Sequence, residues 1–183
     1  MPELFVWYLI SFLGEPMGWL GAAAIMAAIY AVVRIFLPEK RKVLKAFLLI
    51  FIPSLLISLG ITQVLKTTLD ISRPCMPCLE YLQPPLCNIY CPMTAGFPSG
   101  HTAAIFTVFT AFYLVFRRRI FLPLVVIPLL VSASRIMLGV HSALDVVGGA
   151  FLAIIVTLLW NNMAPEWWKE RKRPKLAAKF LGK

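Results

Sequence analysis

Apolar residues fall along this chain in runs of roughly twenty, the length of a membrane-crossing helix, and polar residues gather in short clusters between them. The run from Gly18 to Leu37 is long enough to span a bilayer. It is rich in small residues (Gly21, Ala22, Ala23, Ala24, Ala27, Ala28) that let neighbouring helices approach closely. Pro38 stops it, and Glu39-Lys40-Arg41-Lys42 forms a charged turn. A second span is predicted from about Val43 to Leu65, with Pro53 tolerated as a kink. Residues 66–98 read as a loop that holds six prolines, Pro98 included, and all four cysteines. A third span runs from Ser99 to Phe116 and ends in Arg117-Arg118-Arg119; a fourth occupies about Ile120 to Met137, with Pro123 and Pro128 in its first half; a fifth runs from about Ser142 to Trp160.

The start of the chain is different. Leu4 to Leu13 is ten apolar residues, which as a helix covers ~15 Å, about half the hydrocarbon core. Trp7 and Tyr8 are suited to the interface, so residues 1–17 are expected to form a short interfacial helix. The basic start and small-residue cleavage site of a signal peptide are not found there. The pattern therefore predicts an all-α integral membrane helical bundle of about five transmembrane helices plus this short N-terminal helix. No repeat or separating linker is visible, so residues 1–183 are expected to form one domain.

Composition agrees. Only 14% of the residues are charged, against roughly 25% in soluble domains, which points to a membrane rather than a large dry core. The formal net charge of +10 would fit nucleic acid, but no nucleic-acid-reading motif is present and no polar domain would carry one. The basic residues instead lie in clusters between apolar runs, as topology signals and contacts for anionic headgroups do. Fifteen of the eighteen fall in segments on one side of the five-span arrangement: Arg34 with the Lys40–Lys45 cluster, Arg117–Arg119, and the tail from Lys169 onward. The positive-inside rule puts these segments, including the basic tail at 161–183, in the cytoplasm. Trp167 and Trp168 read as part of an interfacial belt. Lys66, Arg73 and Arg135 are left on the opposite side, where topology does not require them, and they read as anion ligands.

Three stretches at that side carry the chemistry. KTTLDISRP (66–74) sets Lys66 and Arg73 seven apart, about two turns if the helix persists. Pro98-Ser99-Gly100-His101 immediately precedes a span, and a helix N-terminus with free N–H groups is a ready phosphate site. SRIMLGVHSALD (134–145) places a serine, an arginine, a histidine and an aspartate in apolar surroundings, where ionisable groups raise a functional hypothesis. His141 and Asp145 are four apart, on one helical face, and an imidazole held by a carboxylate has a fixed tautomer and one nitrogen free for chemistry. Each fragment alone has a bland reading: a chance Lys-Arg spacing, a helix cap, a buried polar pair. Their order, spacing and shared membrane face argue against coincidence.

Together they resemble the type 2 phosphatidic acid phosphatase superfamily, whose pattern is KxxxxxxRP, PSGH and SRxxxxxHxxxD. Every signature position matches: Lys66, Arg73, Pro74, Pro98, Ser99, Gly100, His101, Ser134, Arg135, His141 and Asp145. The resemblance implies a phosphatase that works without metal or other cofactor through a phosphohistidine. His141 would attack phosphorus, Asp145 would orient it, and His101 would protonate the leaving oxygen and later activate water. Lys66, Arg73, Arg135, Ser99 and the Gly100 and His101 amides would bind the phosphoryl oxygens. Pro74, Pro98 and Ser134 would be structural.

The cysteines Cys75, Cys78, Cys87 and Cys91 lie outside this signature, in the form C-x2-C-x8-C-x3-C. An extracytoplasmic position favours disulfides, with three connectivities open; the spacing also suits a structural zinc. Either staple would order the loop that aims Arg73. A site at the membrane surface with no soluble domain over it points to a lipid phosphate or pyrophosphate entering from the bilayer. The layout resembles small prokaryotic members acting on undecaprenyl pyrophosphate, phosphatidylglycerophosphate or lipid A 1-phosphate, with a lean to the last from the short chain and the cysteine loop. Two readings compete: a non-catalytic lipid-binding or scaffold protein, and a vanadate-dependent haloperoxidase, which shares the phosphate-site pattern but belongs to a soluble family. The expected location is the inner membrane, with the site on the extracytoplasmic face and the C-terminus in the cytoplasm.

Overall fold

The computed structural model describes residues 2–36, 41–76, 91–116 and 119–163. Among them the chain is all helical: α1 (Pro2–Phe12), α2 (Pro16–Phe36), α3 (Arg41–Leu69), α4 (Gly100–Phe116), a 3-10 helix (Arg119–Val125), α5 (Val126–Met137) and α6 (Ala143–Met163). Three stretches are long and apolar enough to cross a membrane, Phe5–Ala31 (which includes the α1–α2 turn), Val43–Leu69 and Ala143–Met163. Gly100–Phe116 and Leu122–Met137 are apolar but shorter, ~25 Å each at ~1.5 Å per residue. The membrane-protein architecture expected from the hydropathy pattern is present.

The centre of the bundle is α3, α4 and α6, which pack on one another, with α2 against α3 and α1 against α5. Small residues on α4 make this possible. Ala103, Ala104 and Ala111 are fully buried, and close backbone approach is how helices associate where lipid removes the hydrophobic drive. Ala104 and Ala111 join Ala23, Ile50, Phe51 and Leu55 in one core cluster, on which Phe47 stacks and Trp19 packs edge-on. Ala103, Ile105, Phe106, Val131 and Ala153 form a second cluster between α4, α5 and α6. Two of the hydroxyls buried in this region bond to the preceding turn: Thr107 Oγ1 donates to Ala103 O at 2.9 Å and Thr157 Oγ1 to Ala153 O at 2.7 Å. Around the outside, Ile25, Leu56, Phe151, Leu159 and many other large apolar side chains are exposed, as a lipid-facing surface requires.

Several boundaries differ from the sequence reading. The helix of the second span does not stop at Leu65 but runs to Leu69, so Lys66 is on its last turn rather than in a loop. Pro53 lies within α3 without ending it. The fourth span begins as 3-10 helix around Pro123 and becomes α-helical only at Val126, close before Pro128. The fifth persists to Met163, past the expected start of the tail at 161, and Trp160 Nε1 donates to Leu49 O at 2.9 Å to hold α6 on α3. α2 begins at Pro16, inside the segment assigned to the interfacial helix. The rest of the tail with Trp167 and Trp168, Arg117–Arg118, Lys40, Cys78 and Cys87 lie outside the described residues.

Candidate active site

The signature residues meet at one end of the bundle, each delivered by a chain reversal whose cause is legible. α3 ends at Asp70, which takes a left-handed backbone (φ 43°), a conformation Asp tolerates better than most residues, and donates its N–H to Lys66 O at 3.2 Å. The helix therefore does not carry on to Arg73, and the two-turn register expected for Lys66 and Arg73 does not apply. Arg73 arrives instead on a tight turn with Pro74 at its second position, closed by Met76 N–H to Arg73 O at 3.1 Å. Pro74 itself is exposed. Cys75, next in the chain, is disulfide-bonded to Cys91, with Cα atoms 5.8 Å apart. This pairing fits one of the three connectivities open from sequence.

The disulfide fastens two strips of chain side by side, and the cations use the second strip as a rest. Arg73 Nε donates to Thr94 O at 2.7 Å and its Nη2 to Thr94 Oγ1 at 3.1 Å. Lys66 Nζ donates to Ala95 O and, at 3.3 Å, to Gly96 O. Gly96 is pinned in turn by its N–H on Ile71 O at 2.7 Å. A Cβ at Gly96 would lie 3.2 Å from Asp145 Oδ2 and 3.4 Å from Arg73 Cγ, so the strip passes close against the site. Buried Cys75 and Cys91 pack with Leu138 and Val140 of the turn before α6.

The PSGH turn is seated by α6. Phe97–Pro98 is a cis peptide bond, and Ser99 N–H donates to Asp145 O at 2.9 Å. A Cβ on Gly149 would come within 2.5 Å of Ser99 O, and one on Gly148 would run into the Phe97 ring. Two successive glycines thus let α6 lie directly on the start of α4. Ser99 is fully buried and caps α4, its Oγ accepting from the backbone N–H of Thr102 at 3.5 Å and from Thr102 Oγ1 at 3.1 Å.

His141 stands in a second reversal. Gly139 (φ 70°) ends α5 in the left-handed conformation, with its N–H on Ile136 O at 2.8 Å, and returns the chain to the bundle end. α6 starts only at Ala143, so His141 precedes the helix and Asp145 sits in its first turn. Their meeting is therefore a capping arrangement rather than a same-face helical pair. Ser142 N–H donates to Asp145 Oδ2 at 2.8 Å, and Asp145 N–H donates back to Ser142 Oγ at 3.2 Å. The same Oδ2 lies 3.3 Å from His141 Nδ1. On the other edge of the ring, Arg73 Nη1 is 3.0 Å from His141 Nε2 and also donates to Val140 O at 3.0 Å. A guanidinium can only donate, so Nε2 carries the lone pair and the proton resides on Nδ1, facing Asp145. Burial, and after it the charges of Arg73, Arg135 and Lys66, hold His141 well below the ordinary histidine pKa, so the ring is neutral at pH 7. Burial also draws Arg73 down, opposed by Asp145.

Two of the remaining signature residues, Arg135 and His101, are held from the N-terminal segment. Arg135 is buried, and its Nη1 donates to Ser11 Oγ of α1 at 2.6 Å, while its Nε has no hydrogen-bond partner among the described residues. Ser134 Oγ donates to Val131 O at 2.6 Å, a local helix contact. His101 Nε2 is 3.0 Å from Glu15 Oε2, between α1 and α2. Sequence reasoning missed Glu15, Ser11, Thr94 and the glycines at 96, 148 and 149. Only Glu15 left a signal, as an isolated carboxylate in an apolar stretch.

The result is a cluster of three cations, two imidazoles and two carboxylates around a neutral, buried histidine nitrogen. Such a cluster binds an oxyanion and can present a nucleophile to it. Among the described residues no group of three or more His, Cys, Asp or Glu is placed to hold a metal ion.

No curated protein matches the chain in sequence. Among solved structures, the fold is similar to the crystal structure of "the first transmembrane PAP2 type phosphatidylglycerolphosphate phosphatase from Bacillus subtilis". The TM-score is 0.62 and the identity 24%, over 94% of this chain and 79% of that one. The sequence profile of the PAP2 superfamily matches residues 47–169, two thirds of the chain and every signature position within it. With that match over the same residues that converge at the bundle end, the chain belongs to the type 2 phosphatidic acid phosphatase (PAP2) superfamily.

Proposed function

We propose that this protein is an integral-membrane lipid phosphatase that hydrolyses a phosphomonoester or pyrophosphate on a lipid headgroup through a phosphohistidine at His141. The observation that carries the reading is the ring of His141, held with Nδ1–H toward Asp145 and the Nε2 lone pair toward Arg73. That is the state a nucleophilic imidazole needs.

In the resting arrangement Arg73 and Lys66 rest mainly on neutral carbonyl oxygens. Transfer of these donors to a charged phosphoryl group replaces ordinary hydrogen bonds by charge-assisted ones, roughly twice as strong. Arg73 then leaves His141 Nε2 for a phosphoryl oxygen and uncovers the nucleophile. Arg135, with an unpartnered Nε, and the N-terminal amides of α4 supply further donors. Ser99 takes its place at that helix end through its cap. Nε2 attacks phosphorus as the bond to the leaving oxygen breaks, and His101 gives that oxygen a proton. Asp145 stabilises the positive charge that develops on the ring. Water then attacks the phosphohistidine, gives its proton to His101, and Nε2 is released.

The positive-inside count supports an extracytoplasmic site and a cytoplasmic C-terminus. The exposed apolar flanks of the bundle support a substrate that arrives from the bilayer. Phosphatidylglycerophosphate, undecaprenyl pyrophosphate and lipid A 1-phosphate remain the three classes to compare, and the similar Bacillus subtilis structure, itself a phosphatidylglycerolphosphate phosphatase, adds weight to the first. The test is phosphate release by purified protein from each lipid in mixed micelles. Turnover of at least one, lost in His141→Ala, is expected. Binding of all three without phosphate release would instead make the protein a lipid-binding scaffold.

A further inference from the structure

We propose that Glu15 is a positioning residue for the acid step. It fixes the proton of His101 Nε2 and reserves the other ring nitrogen, Nδ1, for the leaving oxygen. The inference rests on the reading that His101 protonates the leaving group.

The contact is built into the α1–α2 turn. Gly14 N–H donates to Ser11 O at 2.9 Å and Glu15 N–H to Phe12 O at 3.1 Å, which closes the turn; Trp19 Nε1 ties it again on Leu13 O at 2.7 Å. The turn lies directly on the catalytic helix end. A Cβ on Gly14 would be 2.5 Å from Val131 Cγ1 and 3.2 Å from both Cβ and O of His101. Only a glycine allows that approach, and it brings the next side chain to His101. Pro16 then starts α2 with its ring packed near Gly100. Glu15 Oε2 reaches His101 Nε2 at 3.0 Å, with the two side chains 38% and 20% exposed. Glu15 also lies near Arg135, whose guanidinium is held by Ser11 of the same segment. This segment lies outside the profile match at 47–169.

The chemistry follows from which nitrogen is taken. A carboxylate accepts, so Nε2 keeps a hydrogen in either charge state of the ring, and the proton exchanged during catalysis is on Nδ1. In the first step the Nδ1 proton of the imidazolium passes to the bridging oxygen as the P–O bond breaks and the P–Nε2 bond to His141 forms. The leaving alcohol departs neutral, and His101 remains as the Nε2–H tautomer on Glu15. In the second step the attacking water returns a proton to Nδ1. Lys66, Arg73 and Arg135 are the other charged groups about His101, and Glu15 sets a carboxylate among them. The arrangement repeats at His101 what Asp145 does at His141, with the roles of the two ring nitrogens exchanged.

Leaving groups separate this role from a structural one. An alkyl phosphate such as phosphatidic acid needs its leaving oxygen protonated; p-nitrophenyl phosphate does not. In Glu15→Gln we expect kcat/KM to fall about 10- to 100-fold on phosphatidic acid, less than the ~10²- to 10⁴-fold contributed by a general acid because His101 itself remains, and less than about threefold on p-nitrophenyl phosphate. Retained aryl phosphatase activity also shows that the variant is folded. His101→Ala should show the same bias, and larger. Equal losses on both substrates in Glu15→Gln would reduce Glu15 to a structural contact and overturn the proposal. So would full activity of Glu15→Gln on phosphatidic acid beside a biased His101→Ala, which leaves the function of His101 intact. An unbiased His101→Ala would remove the acid role itself, and the proposal with it.

Discussion

Replacing Asp145 by Asn removes a charge and little else. The carboxylate is 3% exposed, and its Oδ2 serves two donors, Ser142 N–H at 2.8 Å and His141 Nδ1 at 3.3 Å. An Asn carbonyl oxygen in that position still accepts from both, so the cap of α6 and the orientation of the ring survive. The charge that stabilises the developing imidazolium does not. A hydrogen bond to a charged group contributes ~1.5–3 kcal/mol. At 1.36 kcal/mol per tenfold in rate, kcat should fall by roughly 10- to 150-fold. KM should change little, because Asp145 faces the nucleophile and not the phosphoryl oxygens. The assay is steady-state phosphate release from mixed micelles at several surface concentrations of lipid. Ser142→Ala is the control: it removes the Oγ that accepts Asp145 N–H, costs about 1 kcal/mol of stability and leaves the His141–Asp145 contact, so its kcat should stay near wild type. Asp145→Asn with kcat within threefold of wild type would remove the charge of Asp145 from the mechanism, since the histidine would then be working without its carboxylate.

Three other outcomes follow from the same geometry. Gly149→Ala sets a methyl 2.5 Å from the backbone oxygen of Ser99; overpacking of this kind costs ~1–3 kcal/mol, and both the thermal midpoint and kcat should drop. Reduction of the Cys75–Cys91 disulfide, or Cys91→Ser, frees a loop of sequence separation 16, at a cost of up to ~3 kcal/mol, and releases the strip that holds Arg73 and Lys66; the thermal midpoint should fall and KM should rise. His141 is held below its ordinary pKa in the folded protein, so below about pH 6.5 the unfolded chain takes up a proton that the folded one refuses. Its contribution to stability is complete above that pH and is lost as pH falls, by up to about 1.4 kcal/mol per unit, and the gap in unfolding midpoint between wild type and His141→Gln should narrow on acidification.

How much of this was written in the sequence depends on what the membrane makes costly. Lys66, Arg73, Arg135, His101, His141 and Asp145 stood out because ionisable groups are rare in apolar surroundings, and all six converge at one end of the bundle. Helix ends were harder. The apolar run stops at Leu65, but α3 continues because Thr67 and Thr68 turn their hydroxyls back onto Val64 O, at 2.9 Å each, and so need no water. The left-handed residue at Asp70 and the cap at Ser142 then decide how Arg73 and His141 arrive, and neither follows from hydrophobic periodicity. Glu15 was visible as an isolated carboxylate, yet its partner on α4 depends on a close approach at Gly14 that no spacing rule encodes. The pairing of Cys75 with Cys91 was one of several arrangements the spacing allowed.

The central claim is that phosphorus is transferred to His141. Rapid-quench reaction with a 32P-labelled lipid phosphate, followed by alkaline denaturation and peptide mapping, tests it directly. A phosphoryl group is expected on the peptide that contains His141, stable to alkali, lost in acid and absent from His141→Ala. Undiminished turnover in His141→Ala, or a trapped phosphate on any other residue, would contradict it.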